Sequence, residues 1–165
     1  MLTFRPVTQY KAGIIASLLH QCYVKIVSAE SLYWQTEEAN WLQFDREVFE
    51  NLDTVGRCVL ITCLGEEVIG FGSFDPRQRP ELGIIGHNCI LPQFQGHGYG
   101  KRQIQEILER FNQMGIKRAQ VITGEHPFFL PAQKMYLDCG FHEKRRLAGG
   151  PDPRYKVIEY EMRLK

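Results

Sequence analysis

Several features that mark particular classes of protein are missing from this sequence of 165 residues. No apolar run is long enough to cross a bilayer, and the first residues lack the basic stretch and apolar core of a secretory leader. Charge of one sign is not in excess, because 20 basic and 19 acidic side chains leave a net charge of +1. We therefore expect a cytoplasmic protein that is drawn by its overall charge neither to a membrane nor to nucleic acid.

Cysteine usage also excludes two common architectures. The five cysteines are odd in number, are irregularly spaced and include no Cys-X-X-Cys pair. This usage is typical of reduced thiols rather than of a disulfide framework or a structural zinc site. His20 and Cys22 lie close in sequence, but nothing nearby completes a metal-ligand set, so we expect no metal. Repeats and linkers are absent as well, which predicts a single domain over residues 1–165.

The hydrophobic periodicity predicts the order β-α-α-β-β-β-α-β-α-β-β. Strands are expected near residues 2–7, 57–63, 68–74, 82–91, 119–123, 142–147 and 155–163. Four helices are expected. The first follows Thr8, which would cap it, the second covers residues 36–52, the third follows the glycines near residue 98, and the fourth covers residues 131–138. Residues 28–38 are expected to be irregular. This order is typical of a mixed sheet of about seven strands with four helices on its faces, an α/β or α+β fold.

A glycine-rich turn between the fourth strand and the next helix is the most informative segment. It consists of Gln95, Gly96, His97, Gly98, Tyr99 and Gly100. Glycines allow a ligand to approach the backbone closely, and the unpaired N–H groups at a helix start attract anions. The segment therefore predicts a site suited to pyrophosphate. The spacing fits neither a dinucleotide fingerprint nor a Walker A loop.

The same segment resembles the acetyl-CoA loop [RQ]-X-X-G-X-[GA] of the GNAT acetyltransferases, with Gln95, Gly98 and Gly100 at its defined positions. A second motif follows in the family's order, because residues 132–141, with Tyr136 as the tyrosine, resemble A-X-X-X-Y-X-X-X-G-F. The resemblance extends along nearly the whole chain. It implies the GNAT fold, with fourth and fifth strands that splay apart, and acetyl-CoA as co-substrate.

The resemblance also implies roles for individual residues. Backbone groups of Cys89, Ile90 and Leu91 would bind the pantetheine arm. The N–H groups of Gln95, Gly96, His97, Gly98, Tyr99, Gly100 and Lys101 would cradle the pyrophosphate, and Lys101, Arg102 or Lys134 would meet the 3′-phosphate. Tyr136 would donate a hydrogen bond to the sulfur of the departing CoA, since a phenol keeps its proton at neutral pH. The alternative for Tyr136 is a packing role only.

The general base is left open, because the family's usual glutamate on the fourth strand has no counterpart here. His87 has a suitable intrinsic pKa, but strand alternation places it on the face opposite Gly86 unless a bulge reverses the end of the strand. Glu125 at the end of the fifth strand is the second candidate, with His126 beside it. Glu81 and a chain of water molecules are the remaining alternatives.

The roles of Phe129 and of the aromatic and acidic residues 33–38 are open. Phe129 stands where relatives often have an asparagine that binds the cofactor, and it either walls an acyl pocket or plugs the core. Tyr33, Trp34, Glu37 and Glu38 form either a rim for a cationic acceptor or an ordinary helix start with core aromatics.

The prediction is an acetyl-CoA-dependent N-acetyltransferase in which a primary amine attacks the thioester directly. The acceptor is open: a small amine, an amino acid, an antibiotic or a protein N-terminus. A covalent route through Cys89 lacks a visible histidine partner. A non-catalytic acyl-CoA-binding or partner-binding module and a nucleotide-binding module are the alternatives. A homodimer is compatible with each of these three functions.

Overall fold

Seven strands and five helices make up the fold, and the computed structural model describes every residue from 1 to 165. The strands are β1 (Leu2–Pro6), β2 (Val59–Leu64), β3 (Glu67–Asp75), β4 (Gly83–Ile90), β5 (Arg118–Gly124), β6 (His142–Leu147) and β7 (Val157–Arg163). The helices are α1 (Ile14–Ala29), α2 (Ser31–Trp34), α3 (Glu37–Glu50), α4 (Tyr99–Gln113) and α5 (Leu130–Asp138).

All seven strands join one mixed sheet in the order β1-β2-β3-β4-β5-β7-β6. The pair β4 and β5 is parallel, whereas β1–β2, β2–β3, β5–β7 and β6–β7 are antiparallel. The parallel register runs only from Gly83 and Ala119 to Ile85 and Val121, although β5 continues along β7 to Gly124. The predicted mixed sheet of about seven strands with four main helices is therefore confirmed, and α2 is an additional single turn. The pairing of β4 with β5 over only three residues of each strand agrees with the expectation that these strands splay apart.

Two compact units can be distinguished within the chain. The first comprises Met1–Ser73 and Asn88–Tyr99, and the second comprises Phe74–His87 and Gly100–Lys165. The expectation that residues 1–165 unfold as a single domain stays a prediction, which coincidence of unfolding curves from different probes would test.

In the first unit, side chains of α1, α3 and strands β2 and β3 bury a common core that includes Leu19, Val48 and Phe71. Aromatic stacking extends this core, because the ring of Tyr23 lies 6.2 Å from that of Trp34 and 5.3 Å from that of Trp41. Burial of these side chains is the main favourable term in folding.

The start of α1 differs from the prediction. Thr8 does not cap it, because Val7–Gln9 forms a 3₁₀ turn and the helix begins only at Ile14. The cap comes instead from Asp45 on α3. Its carboxylate, which is 4% exposed, accepts hydrogen bonds from the N–H groups of Gly13 at 2.7 Å, Ile15 at 2.9 Å and Ala16 at 3.1 Å. Such a remote cap satisfies the free N–H groups of the helix start without a local sequence signal.

Replacement of Asp45 by alanine is expected to lower the free energy of unfolding by about 2–3 kcal/mol, because buried N–H groups lose their acceptor. Asp45→Asn keeps one acceptor oxygen and should lose less. Urea denaturation of the three proteins measures both effects. An alanine variant within about 0.5 kcal/mol of the parent would show that water replaces the carboxylate.

The second unit packs α4 and its aromatic neighbours onto the sheet. Ile104, Ile107, Leu108 and Phe111 of α4 are buried, as the helical spacing of these residues predicts. The ring of Phe111 lies directly over Gly83, where an added Cβ would approach it to 2.7 Å. The ring of Phe74 meets the same phenylalanine edge-on at 5.4 Å. A glycine at the start of β4 is thus required by packing.

Candidate active site

The loop before α4 is exposed and its backbone is open to a ligand. Gly96 and Gly98 have φ values of +80° and +81°, a left-handed conformation that favours glycine. A Cβ built at either position would have no atom within 4 Å. Because α4 begins at Tyr99, the unpaired N–H groups of its first turn follow directly in the chain. The geometry suits an anionic group approaching the backbone.

The end of β4 is fixed to β3. The N–H of Leu91 donates to the carbonyl of Ile69 at 2.8 Å, and a side chain at Gly70 would collide with the carbonyl oxygen of Cys89. The amide of Gln95 donates to the carbonyl of Ile90 at 2.8 Å and so ties the loop to the strand. Two of the backbone groups predicted to bind a pantetheine arm therefore already have a protein partner.

The thiol of Cys89 is an unsuitable nucleophile. It is 9% exposed and lies beside Cys22. Burial raises the pKa of Cys89 well above its ordinary value, and the hydrogen bond with Cys22 raises this pKa further. A thiol held protonated lacks the thiolate that covalent catalysis needs, so the structure does not favour a covalent route.

The basic side chains predicted near a 3′-phosphate lie on α4 and α5. Lys134 forms an ion pair with Asp138 at 2.9 Å. This hydrogen bond lowers the pKa of Asp138, and the charge of Lys101 lowers it further. Arg102 is exposed. Lys134 is thus paired with Asp138 near the end of α5, and the charge of Lys101 acts on the same carboxylate from a greater distance.

Tyr136 of α5 is 3% exposed and lies in an aromatic cluster. Its ring is 5.9 Å from that of Phe141 and 6.0 Å from that of Tyr160. Packing therefore fixes the orientation of the phenol ring, which leaves both the predicted donor role and the packing role open.

His87 is exposed, near the end of β4, where the inside–outside alternation breaks down. Burial alternates from Gly83 to Ile85, but Gly86 and His87 are both exposed, and Cys89 and Ile90 are both buried. The simple alternation expected from the sequence thus fails beyond Ile85. Although His87 keeps exposed surface, the protein packed around its ring lowers the pKa of the imidazole by desolvation. The neutral ring is therefore favoured at pH 7.

The two acidic candidates for a base are engaged in hydrogen bonds. The carboxylate of Glu125 accepts from the N–H of Lys156 at 3.2 Å and from Arg146 at 2.9 Å, and these bonds lower the pKa of Glu125. Glu81 is paired with Lys117 at 2.6 Å, which lowers the pKa of Glu81. A lowered pKa makes each carboxylate a weaker proton acceptor.

The family of this chain follows from a sequence comparison. The family model described as acetyltransferase (GNAT) family matches residues 26–141, which include the glycine loop and the tyrosine motif. The chain belongs to the GNAT acetyltransferase family.

Solved acetyltransferase structures share the fold. A GNAT-family protein from Desulfovibrio desulfuricans is 13% identical with a TM-score of 0.76, over 100% of this chain and 99% of that one. The microcin C7 self-immunity acetyltransferase MccE, solved with acetyl-CoA and AMP, is 18% identical with a TM-score of 0.71, over 99% and 92%. A Bacillus subtilis acetyltransferase solved with CoA is 16% identical with a TM-score of 0.59, over 73% and 84%. No curated protein matches the sequence.

Phe129 marks a departure from the GNAT pattern. Its ring is buried against the backbone of Gly124, where an added Cβ would approach it to 2.7 Å, so it fills the core at the end of β5. Gln133 on α5 donates its amide to the carbonyl of Gly124 at 2.9 Å. This bond fixes α5 to β5, and because it depends on tertiary contact, no pattern in the sequence signals it.

The aromatic and acidic residues near α2 divide between core and surface. Trp34 is 8% exposed, as expected for a core aromatic, and Glu38 lies 3.8 Å from His20.

Two kinds of feature are not found in the structure. None of the helices is long and apolar enough to span a membrane. No three His, Cys, Asp or Glu side chains come together in a cluster that could hold a metal ion.

Proposed function

We propose that this GNAT protein is an N-acetyltransferase that uses acetyl-CoA and acetylates a primary amine by direct attack on the thioester. The observation that carries the proposal is the open, left-handed glycine backbone immediately before α4, within the part of the chain that matches the family. Two acetyltransferase structures of similar fold were solved with acetyl-CoA or CoA bound. We expect the reaction to occur in the cytoplasm.

In this proposal the loop binds the cofactor mainly through its backbone. The N–H groups from Gln95 to Lys101 bind the pyrophosphate, and the conformation of Gly96 and Gly98 leaves no Cβ in its way. The side chain of Gln95 serves to hold the loop against Ile90. Lys101, with Arg102 or Lys134, supplies positive charge for the 3′-phosphate.

The acetyl transfer then requires two kinds of assistance. A backbone N–H at the end of β4 stabilises the oxyanion that forms when the amine attacks the carbonyl carbon. Tyr136 donates a hydrogen bond to the sulfur as the carbon–sulfur bond breaks and CoA departs. The match of residues 132–141 to the family's tyrosine motif supports this role. The packing of the ring against Phe141 and Tyr160 holds the phenol in one orientation, so it would lose little freedom on engaging the leaving group.

The incoming ammonium must lose a proton, and we assign His87 ahead of Glu125 as the acceptor of that proton. Desolvation keeps His87 neutral at pH 7, whereas Glu125 is held as a weakly basic carboxylate by Lys156 and Arg146. A neutral imidazole combines the correct protonation state with useful basicity.

Replacement of His87 by alanine should lower kcat/KM at pH 7 by about tenfold or more. The loss should shrink at high pH, where the acceptor is already free amine. In the parent protein, the pH profile of kcat/KM should have an acidic limb on which the rate falls as His87 becomes protonated. The midpoint of this limb should lie below about pH 6.5, because desolvation lowers the pKa of His87. Glu125→Gln, which keeps an oxygen for Lys156, should leave this limb in place. Unchanged profiles in both variants would leave Glu81 or water as the base.

Ligand binding separates the proposal from its two rivals. Acetyl-CoA at 100 times its Kd should add about 2.7 kcal/mol to the stability of the protein, and CoA should also stabilise it. Stabilisation by ATP alone would favour a nucleotide-binding module. A panel of small amines, amino acids and N-terminal peptides, scored by release of free thiol, then tests catalysis. Tight binding of acetyl-CoA without thiol release from any acceptor would favour a non-catalytic acyl-CoA-binding module.

A further inference from the structure

His97, in the middle of the glycine loop, has a defined proton position. Its Nδ1 lies 3.0 Å from the carbonyl oxygen of Gln95 and 3.3 Å from that of Phe94. Carbonyl oxygens only accept hydrogen bonds, so Nδ1 must carry the proton. The neutral ring therefore presents a lone pair at Nε2, and only the protonated ring has an N–H donor there.

The ring is held in place but is not paired with a negative charge. It stacks on the ring of Tyr99, with centroids 5.7 Å apart and planes 18° apart, and it remains exposed. No acidic residue occurs anywhere in residues 89–102. The charged neighbours along the segment are Lys101 and Arg102, which are both cations at neutral pH. The segment itself therefore offers no acidic partner for a protonated His97, and the contacts of its ring are with two carbonyl oxygens and Tyr99.

We infer that His97 takes up a proton when the cofactor binds, so that its Nε2–H donates a charge-assisted hydrogen bond to a pyrophosphate oxygen. This inference rests on the proposed binding of CoA at the loop. The proton comes from solvent and adds to the Nε2 lone pair, while Nδ1–H keeps its bond to the loop carbonyls. Cofactor affinity then increases as pH falls, because the protonated ring binds phosphate more strongly than the neutral ring.

Titration calorimetry with 3′-dephospho-CoA tests the inference. This probe keeps the pyrophosphate but lacks the 3′-phosphate, whose own ionisation near pH 6 would obscure the result. We expect its Kd to be about three- to tenfold lower at pH 6 than at pH 8, since tenfold corresponds to a change of one pKa unit. Near neutral pH, heats measured in buffers of different ionisation enthalpy should reveal uptake of a fraction of a proton.

Two variants isolate the contribution of His97. His97→Asn keeps an N–H donor close to the position of Nδ1 but has no counterpart of Nε2, so its Kd should vary much less between pH 6 and pH 8. His97→Lys carries a charge throughout this range and should bind comparably at both pH values. The ligand-free melting temperature of each variant controls for damage to the fold.

The outcomes separate this inference from the proposed function. Binding of 3′-dephospho-CoA that is independent of pH, or a pH dependence that persists unchanged in His97→Asn, would overturn the inference and leave the function intact. A pH dependence seen with CoA and absent with 3′-dephospho-CoA would assign the effect to the 3′-phosphate and likewise overturn it. Failure of acetyl-CoA and 3′-dephospho-CoA to bind at either pH would overturn the proposed function as well.

Discussion

Gly98→Val is expected to abolish binding of acetyl-CoA while leaving a folded protein. The Cβ at this position projects into open space in the free protein, which is the space that the pyrophosphate needs in the proposed complex. A valine at φ +81° also strains the loop, at a cost of about 1–2 kcal/mol. The stabilisation of about 2.7 kcal/mol expected at 100 times the parent Kd should disappear. Thermal unfolding with and without acetyl-CoA measures both effects.

Gly65→Val provides the matched control. Gly65 lies in the turn between β2 and β3, has a φ of +62°, and would have no atom within 4 Å of an added Cβ. The valine therefore introduces comparable backbone strain outside the loop. We expect this variant to lose a similar amount of stability and to keep the shift with acetyl-CoA. A Gly98→Val protein that retains the parent shift would contradict the assignment of the loop.

Tyr136→Phe should lower kcat by at least about tenfold with little change in the Kd of acetyl-CoA. A free thiol titrates near 8.5 and a phenol near 10, so full proton transfer to the thiolate is uphill by about 2 kcal/mol. A hydrogen bond that strengthens as charge builds on sulfur avoids this barrier. This lower limit lies below the range of roughly 10²- to 10⁴-fold that is typical of general acid catalysis, because water can replace part of the donor's contribution.

Tyr160→Phe is the matched control for this variant. Tyr160 lies in the same aromatic cluster, with its ring 6.0 Å from that of Tyr136, and is 2% exposed. Loss of its hydroxyl should leave kcat near the parent value. Equal kcat values for the parent and Tyr136→Phe, where chemistry limits the rate, would reduce Tyr136 to a packing residue.

Elements whose signal is local could be predicted from the sequence. The apolar positions of α4 recur at helical spacing and are buried, and the span of β6 at residues 142–147 is as predicted. The start of α1 could not be predicted, because its cap is Asp45 on another helix. The single turn α2 lies within a stretch rich in aromatic and acidic residues, where no periodicity identifies a helix.

In the candidate site, too, some features could be predicted from the sequence and others could not. Gly96 and Gly98 identify the loop because only glycine adopts this backbone freely. The protonation of the base candidates could not be read from residue types, since desolvation of His87 and the hydrogen bonds to Glu125 from Lys156 and Arg146 arise from tertiary packing.

The most direct test of the proposed activity is the mass of an amine acceptor after incubation with the protein and acetyl-CoA. We expect an acceptor that gains one acetyl group on nitrogen, with release of one CoA for each product molecule. The product should form much more slowly with Tyr136→Phe, and not at all with Gly98→Val. An acceptor panel that spans small amines, amino acids and peptide N-termini and yields no acetylated product, although acetyl-CoA binds, would contradict the proposed activity.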